Sequence, residues 1–226
     1  MNKLTILNFD EVDSTNSLAF QLVREGKAFD GFMLVAKSQS KGRGRCDRQW
    51  DSPEGNLYFS LILQSDKFSA VTDYSFLIAC VIGKVLNSFG FCIQYKWPND
   101  IILEGKKLAG ILLQFERIKG IDNLVIGVGV NLVSCPDYAV SLENAVGKEN
   151  FLKKFEEVFL EYKLRYEQFG FRSIRQEWKN NAFKIGSDVK LSNGMEGVFE
   201  DIDDDGNLVL LNGDGLRVKA GVVEIL

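Results

Sequence analysis

The segment Gln39-Ser40-Lys41-Gly42-Arg43-Gly44-Arg45-Cys46-Asp47-Arg48-Gln49-Trp50 interleaves glycines with cations. Glycines let a backbone approach a ligand closely, and the guanidinium groups of Arg43, Arg45 and Arg48 can bridge phosphate oxygens through paired donors. Phosphate capture is the chemistry this pattern suits, although a solvated charge run or an Arg-Gly contact with RNA has the same composition. A second group, Lys96-Trp97-Pro98-Asn99-Asp100, joins a cation, an indole, a rigid turn, an amide and a carboxylate at the end of an expected strand. Asn and Asp oxygens are hard donors that suit Mg²⁺, so such a group could orient a polar ligand and a metal-bound phosphate together. Each residue taken singly also has a plain reading as surface charge, core or turn.

Two further stretches read as strands thinned by glycine. In Lys106-Lys107-Leu108-Ala109-Gly110-Ile111-Leu112 a cation opens an apolar run whose Gly110 removes a side chain that would obstruct anything lying over the sheet. In Val125-Ile126-Gly127-Val128-Gly129-Val130-Asn131 the pattern recurs, although strand glycines also mark bulges. Two such strands predict a slot beneath a ligand, with Lys107 within reach of a carboxylate or phosphate.

The composition excludes several kinds of chemistry. The sequence has no histidine, which removes Ser-His-Asp and Cys-His catalysis and the common histidine metal sites. Cys46, Cys80, Cys92 and Cys135 are unevenly spaced without a CxxC, so neither a zinc site nor a disulfide scaffold is indicated. Lys and Arg number 27 against 31 Asp and Glu, which gives no general attraction to nucleic acid or to an anionic membrane. The first residues turn polar too soon for a secretory signal, and the most apolar stretch, Phe76 to Leu86, is about half a membrane span and carries Lys84. The chain reads as cytosolic.

The elements that must position these groups follow from periodicity. Leu4 to Phe9 alternates like a strand, and Asp13-Ser14-Thr15-Asn16 offers cap residues to a helix with Leu18, Leu22 and Val23 on one face, ended by Gly26. Strands at Phe32 to Ala36 and Leu57 to Leu63 bracket the long basic loop, and a loop of that length in a compact domain usually binds something or is disordered. Ser69 to Phe89 suits a buried helix. It is followed by strands at Ile93 to Trp97, near Leu108 to Phe115 and at Leu124 to Leu132, with a turn at Glu104-Gly105. Glu149 to Gln168 and Arg172 to Asn180 read as amphipathic helices, the first with a core stripe of Phe151, Phe155, Val158, Phe159 and Tyr162. From about Gly186, short β-prone runs are cut by Asn193-Gly194, Asp205-Gly206, Asn212-Gly213 and Asp214-Gly215. The reading is an α+β domain with a mixed or antiparallel sheet over residues 1–182, then a small all-β barrel or meander over 183–226.

With Ser14-Thr15-Asn16, the Gly-Arg-Gly-Arg loop ending in Trp50, Lys96 to Asp100, Lys107 to Leu112 and Gly127 to Asn131 in this order, the chain resembles the biotin protein ligases. Ala220 to Ile225 resembles the family's closing segment, so the likeness spans essentially the whole chain. The resemblance implies a class II synthetase-like catalytic fold with an SH3-like C-terminal barrel. It also implies ATP with Mg²⁺, biotin as substrate, and a lysine on a biotin carboxyl carrier domain as acceptor, biotinylated through biotinyl-5′-AMP. By position, Ser14, Thr15, Asn16 and Gln39 resemble residues that bind the biotin head. Gly42, Arg43, Gly44 and Arg45 of the loop, together with Lys107, also resemble biotin-binding residues, and Gly110, Gly127 and Gly129 the slot floor. Arg43, Arg45, Arg48, Trp50, Asn99, Lys107 and Asn131 resemble the ATP-binding set, with Trp50 near adenine. Lys107, Arg45 and Asp100 resemble the catalytic set, Asp100 being also the candidate for Mg²⁺.

One departure stands out. Where the family commonly has Arg-Gly, this chain has Cys46-Asp47, which predicts poorer loop closure and a weaker hold on the intermediate. A lipoate or octanoate protein ligase of the same superfamily is the nearest alternative, and a non-catalytic biotin sensor or regulator a further one. The chain reads as beginning directly at the catalytic region, so the regulator's role, which in some relatives uses a winged helix, is not expected; the charge balance likewise leads to no expectation of a nucleic-acid or membrane partner. A homodimer is possible by analogy.

Overall fold

The computed structural model describes residues 3–213, 217–220 and Ile225. Met1, the turn expected at Asp214-Gly215 and Gly221 to Glu224 of the closing run lie outside the described residues. In chain order the elements are β1 (Thr5–Val12), α1 (Thr15–Arg24), β2 (Phe32–Gln39), β3 (Leu57–Ser65), α2 (Asp73–Ser88), β4 (Gln94–Lys96), β5 (Asp100–Leu103), β6 (Lys106–Ile118) and β7 (Ile121–Val130). They are followed by α3 (Lys148–Phe169), α4 (Arg172–Asn180), β8 (Asp188–Lys190), β9 (Glu196–Ile202), β10 (Leu208–Leu211) and β11 (Arg217–Ala220).

The first seven strands form one sheet in the order β1-β2-β3-β7-β6-β5-β4. Only β1 and β2 run parallel, with α1 as their crossover, and the other pairs are antiparallel. The expected α+β class with a mixed sheet is therefore what forms. One strand, β5, escapes the sequence reading because Asp100 belongs both to the turn Pro98-Asn99-Asp100 and to the strand it opens. The motif Lys96 to Asp100 is consequently a hairpin connection, in which Lys96 pairs with Asp100, and not merely a strand end.

Side chains alternate faces along a strand, and this sheet uses the alternation to separate core from site. Leu57, Phe59, Leu61 and Leu63 of β3 and Leu124, Ile126, Val128 and Val130 of β7 enter the large core, which α2, α3 and α4 cover. The intervening residues face α1, where Ile62 and Val125 join a small core with Ala19, Phe20, Val23 and Leu34. Farther along that second face the residues shrink or turn polar: Ser60 on β3, Gly127 and Gly129 on β7, and Gly110 on β6. α2 is almost wholly buried, as its apolar run predicts, and begins at Asp73 rather than Ser69. Among the described residues no helix is long and apolar enough to cross a membrane.

β8 to β11 form a separate four-stranded antiparallel sheet, and a bridge between Leu191 and Ile225 ties the chain past β8 to the chain past β11. The small barrel expected is thus seen as a four-stranded sheet with its two ends bridged. Phe183 N still donates to Tyr95 O in the large sheet at 2.8 Å, whereas Gly186 N donates to Phe199 O in the small one at 2.8 Å. Trp178 of α4 packs against Phe76 and Tyr95, with ring centroids 5.1 and 5.8 Å away.

Charges reinforce this junction. Asp201 on β9 pairs with Lys179 at 2.6 Å and with Arg175 at 3.3 Å, both on α4. Burial works to raise the Asp201 carboxyl, but the Lys179 ammonium, the Ile202 backbone N–H and Arg175 prevail and hold it below the usual carboxylate range. A depressed carboxylate contributes stability above its unfolded-state value and loses it as pH falls through the folded-state value. Wild type should therefore exceed Asp201→Asn in thermal stability by a constant margin above pH 3.8, the group's ordinary value, and the margin should close on further acidification. A margin that does not narrow as the pH falls below 3.8 contradicts the assignment.

Candidate active site

A cavity of about 350 Å³ opens over the bare face of the sheet, within the range of small-ligand sites. Its floor is β6 and β7, where Gly110 pairs directly with Gly129 and Leu112 with Gly127. Its walls come from the start of α1, the basic loop and the β4–β5 hairpin.

One end is neutral. Ser14 is the N-cap of α1, yet its side chain makes no capping bond, and together with Thr15 and Asn16 it is buried at the cavity wall. Thr15 donates from both N (2.9 Å) and Oγ1 (3.1 Å) to Gln39 Oε1. Ser60 Oγ lies 2.7 Å from Thr15 Oγ1 and 2.5 Å from Asn16 Oδ1. Asn16 Nδ2 donates to Gln114 Oε1 at 2.8 Å, and Gln39 Nε2 to Ser52 Oγ at 3.0 Å. This chain of amides and hydroxyls carries no charge, and its members hold one another in fixed orientations.

The other end is cationic. Lys107 Nζ lies 2.7 Å from Asp100 Oδ1, an ion pair across the β5–β6 hairpin whose geometry is not that of an aligned hydrogen bond. The ammonium also sits 5.2 Å from the Trp50 ring centroid. Arg45 Nη1 donates to Asn99 Oδ1 at 3.2 Å, while Asn99 is locked to β6 by Nδ2→Ile111 O (2.7 Å) and Ile111 N→Asn99 O (3.0 Å). Arg43, Arg48 and Lys96 complete the cationic lining.

The basic loop is folded back on itself. Arg43 bridges Gln49, Gly44 N donates to Arg48 O at 2.7 Å, and Arg48 N donates to Arg45 O at 3.1 Å. The tip residues Cys46 and Asp47 both have positive φ, 53° and 56°, the pattern of a type I′ turn that glycine and asparagine favour. A residue with a Cβ costs roughly 1–2 kcal/mol there, less for Asp than for Cys. This gives the departure at Cys46-Asp47 a backbone cost in the folded-back loop.

Most residues singled out by sequence meet here: Ser14, Thr15, Asn16, Gln39, Arg43, Gly44, Arg45, Arg48, Trp50, Asn99, Asp100, Lys107, Gly110, Gly127 and Gly129 all line the one cavity. Several arrive in different parts from those expected. The space above Gly110 and Gly129 is filled by Trp50, whose ring would lie 3.0 and 2.6 Å from a Cβ at those positions. Above Gly127 lies the Asn16 amide, 2.4 Å from such a Cβ. The glycines therefore admit protein side chains to the floor. Trp50, expected beside adenine, is that floor. Gly42 does not line this cavity; it permits the close approach of Trp50 O and Ser52 Oγ, at 2.3 and 2.5 Å from its notional Cβ. Asn131, expected on the nucleotide side, is buried and donates through Nδ2 to Val140 O at 3.1 Å, holding the loop that follows β7. Asp100, proposed for Mg²⁺, is already paired with Lys107, and no group of three or more His, Cys, Asp or Glu converges among the described residues.

Sequence reasoning missed Ser60, Ser52, Gln114 and Tyr138. Ser60 had a readable signal, a lone polar residue inside the apolar run Leu57 to Leu63. Tyr138, 77% exposed at the cavity mouth, had none. It arrives there because Val140 N bonds Lys107 O at 3.0 Å and Ala139 bridges Lys107.

This fold and site define a class. Residues 9–131 match the model of the Biotin/lipoate A/B protein ligase family. The chain belongs to that family. Its similarity within the family is to biotin protein ligases: a "Biotin--[acetyl-CoA-carboxylase] ligase" of Paracoccus denitrificans is 33% identical over 91% of this chain and 94% of its own length. The "Bifunctional ligase/repressor BirA" of Bacillus subtilis (strain 168) is 31% identical over 94% of this chain and 71% of its own length. Among solved structures, a biotin protein ligase from Aquifex aeolicus in complex with biotin and ATP superposes with a TM-score of 0.85 at 26% identity, covering 98% of each chain.

The packing of Trp50 on the glycine pair is directly testable. Gly129→Ala places a methyl where the indole lies, so the ring must leave the floor. The expected result is a red shift in tryptophan emission, because Trp97 and Trp178 stay buried, with a stability loss of about 1–3 kcal/mol in urea. Unchanged emission and stability would show that Trp50 does not rest on this pair.

Proposed function

We propose that this chain activates biotin with ATP as biotinyl-5′-AMP and transfers the biotinyl group to a lysine of a biotin carboxyl carrier domain in the cytoplasm. The observation that carries this is the polarity of the cavity, neutral at Thr15, Asn16 and Gln39, with Ser60 bonded to the first two from beneath, and cationic at Arg43, Arg45 and Lys107. Biotin has the matching gradient: an uncharged ureido ring rich in donors and acceptors, then an alkyl arm ending in a carboxylate. A lipoyl ring offers no N–H or C=O and would use none of the hydrogen-bonding capacity this network keeps beyond its own bonds, a mismatch that lowers affinity.

A carboxylate resists attack because further negative charge must build on it. In the first step a biotin carboxylate oxygen bonds to the α-phosphorus of ATP and pyrophosphate leaves. Lys107 and Arg45 hold the carboxylate against the α-phosphate and stabilise the charge that develops there, and losing one such preorganised donor typically costs about a hundredfold in rate. Trp50 walls the alkyl arm. Tyr138 offers an open ring face for the adenine, since Trp50 is committed to the floor and Trp97 is buried. Magnesium would enter on the nucleotide phosphates, which it neutralises, and Asp100 would have to part from Lys107 to ligate it. In the second step the carrier lysine, after losing a proton, attacks the acyl carbon and AMP leaves. Asp100, freed when Lys107 turns to the substrate, orients that amine or takes its proton.

Biotin, and not lipoate, should drive exchange of pyrophosphate into ATP, and Tyr138→Ala should raise the KM for ATP several-fold in the same assay with little change in that for biotin. Exchange driven by lipoate alone would overturn the reading. In single-turnover assays Asp100→Ala should slow transfer to the carrier more than adenylate formation. Equal impairment of the two steps would remove Asp100 from the second.

A further inference from the structure

The hairpin loop Trp97-Pro98-Asn99, which leads into Asp100 at the cationic end of the cavity, is anchored at three points. Ser75 Oγ at the start of α2 donates to Pro98 O at 2.9 Å, and Asn99 exchanges two hydrogen bonds with Ile111 of β6. The third anchor comes from the small C-terminal sheet: Trp97 Nε1 donates to Gly206 O at 3.1 Å across 109 residues of chain. Trp97 is only 4% exposed, and a buried indole N–H needs an acceptor.

The acceptor is held by several hydrogen bonds within its own turn. Gly206 lies between β9 and β10 with φ +79°, and a Cβ on it would meet Phe76 Cε2 at 3.0 Å. Gly206 N donates to Asp203 O at 3.1 Å, and Asp203 N donates to Asn207 O at 2.9 Å. Asp203 Oδ1 accepts from the backbone N–H groups of Asp205 and Asn207, both at 2.9 Å. The carbonyl of Gly206 thus points at the indole because the Asp203 carboxylate organises the turn behind it. Beyond Trp97, two and three residues along, lie Asn99 against Arg45 and Asp100 against Lys107.

We propose that the β9–β10 turn is a positioning device for the reaction: through Gly206 O it sets Trp97, and through Trp97 it sets Asn99 and Asp100 at the cationic end of the cavity. Asp203 and Trp97 are positioning residues acting through that hairpin. The kinetic part of this inference rests on the function proposed above, while the structural coupling does not.

The test uses the full-length chain with Asp203→Ala, Asp203→Asn and Trp97→Phe. Asp203→Ala should lower kcat for biotin-driven ATP–pyrophosphate exchange by about tenfold, the effect of one misplaced hydrogen bond, while KM for biotin moves less than about twofold because the neutral end is anchored elsewhere. Asp203→Asn keeps the accepting oxygen and should restore kcat. Trp97→Phe keeps a ring and loses the donor, and should reproduce the loss in kcat, which keeps the test decisive if Asp203→Ala fails to fold. In ¹H–¹⁵N spectra, the indole N–H resonance absent from Trp97→Phe should shift upfield and exchange faster in Asp203→Ala, and the Asn99 side-chain amide resonances should move with it. Unchanged kcat in Trp97→Phe, or an Asp203→Ala variant that folds and leaves both sets of resonances in place, overturns the proposal. If the wild type shows no biotin-driven exchange, the proposed function fails, and the resonances alone decide whether the turn sets the hairpin.

Discussion

Gly110, Gly127 and Gly129 leave the middle of a seven-stranded sheet without side chains on one face, and Trp50 and Asn16 descend into the space. The other parts of the site depend on this packing. Asn16 can reach Ser60 and Gln114 only because Gly127 yields the room, and the first turn of α1 is thereby seated close enough for Thr15 to meet Gln39. Trp50 can rest on β6 and β7 only because a cross-strand pair is glycine on both sides, and its position draws the basic loop over the cavity. The cost is the conformational freedom glycine loses in a strand, about 0.5–1 kcal/mol each relative to alanine. The large core beneath, which is apolar on the same strands, offsets it.

The two ends of the cavity obey different rules. At the neutral end, buried polar groups are acceptable because they bond to one another; the same groups unpaired would each cost about 1–3 kcal/mol. At the cationic end Lys107 is partly exposed and balanced by Asp100, so its ammonium is not buried alone in the resting site. A substrate carboxylate or phosphate can compete for the ammonium without the protein having paid to bury it alone. The separation of the ends along one cavity matches a ligand that is neutral at the head and anionic at the tail.

The sequence showed where chemistry would gather more clearly than how the parts would touch. The glycine-bearing strands, the basic loop and the motif Lys96 to Asp100 were legible because glycine and charge in strand-like runs are locally costly and therefore informative. The bounds read for α4 agree with the observed helix because its amphipathic period is plain. Missing glycine side chains announce a close approach without naming the visitor, which is why the floor was expected to meet a ligand and instead meets Trp50 and Asn16. Asn131 follows the same lesson: an asparagine after a strand can serve a nucleotide or a neighbouring loop, and only the position of Val140 decides for the loop. β5 was hidden by its own opening residue, and the hold of Gly206 on Trp97 lies 109 residues away, beyond any local pattern.

The central claim, one cavity that grips a neutral ring at one end and an anion at the other, is tested most directly by titration calorimetry of biotin into wild type and Ser60→Ala. The account predicts measurable binding to wild type and affinity about tenfold weaker in Ser60→Ala, whose loss leaves Thr15 and Asn16 without their shared partner. Absence of heat for biotin on the wild-type protein, with or without nucleotide, would contradict it.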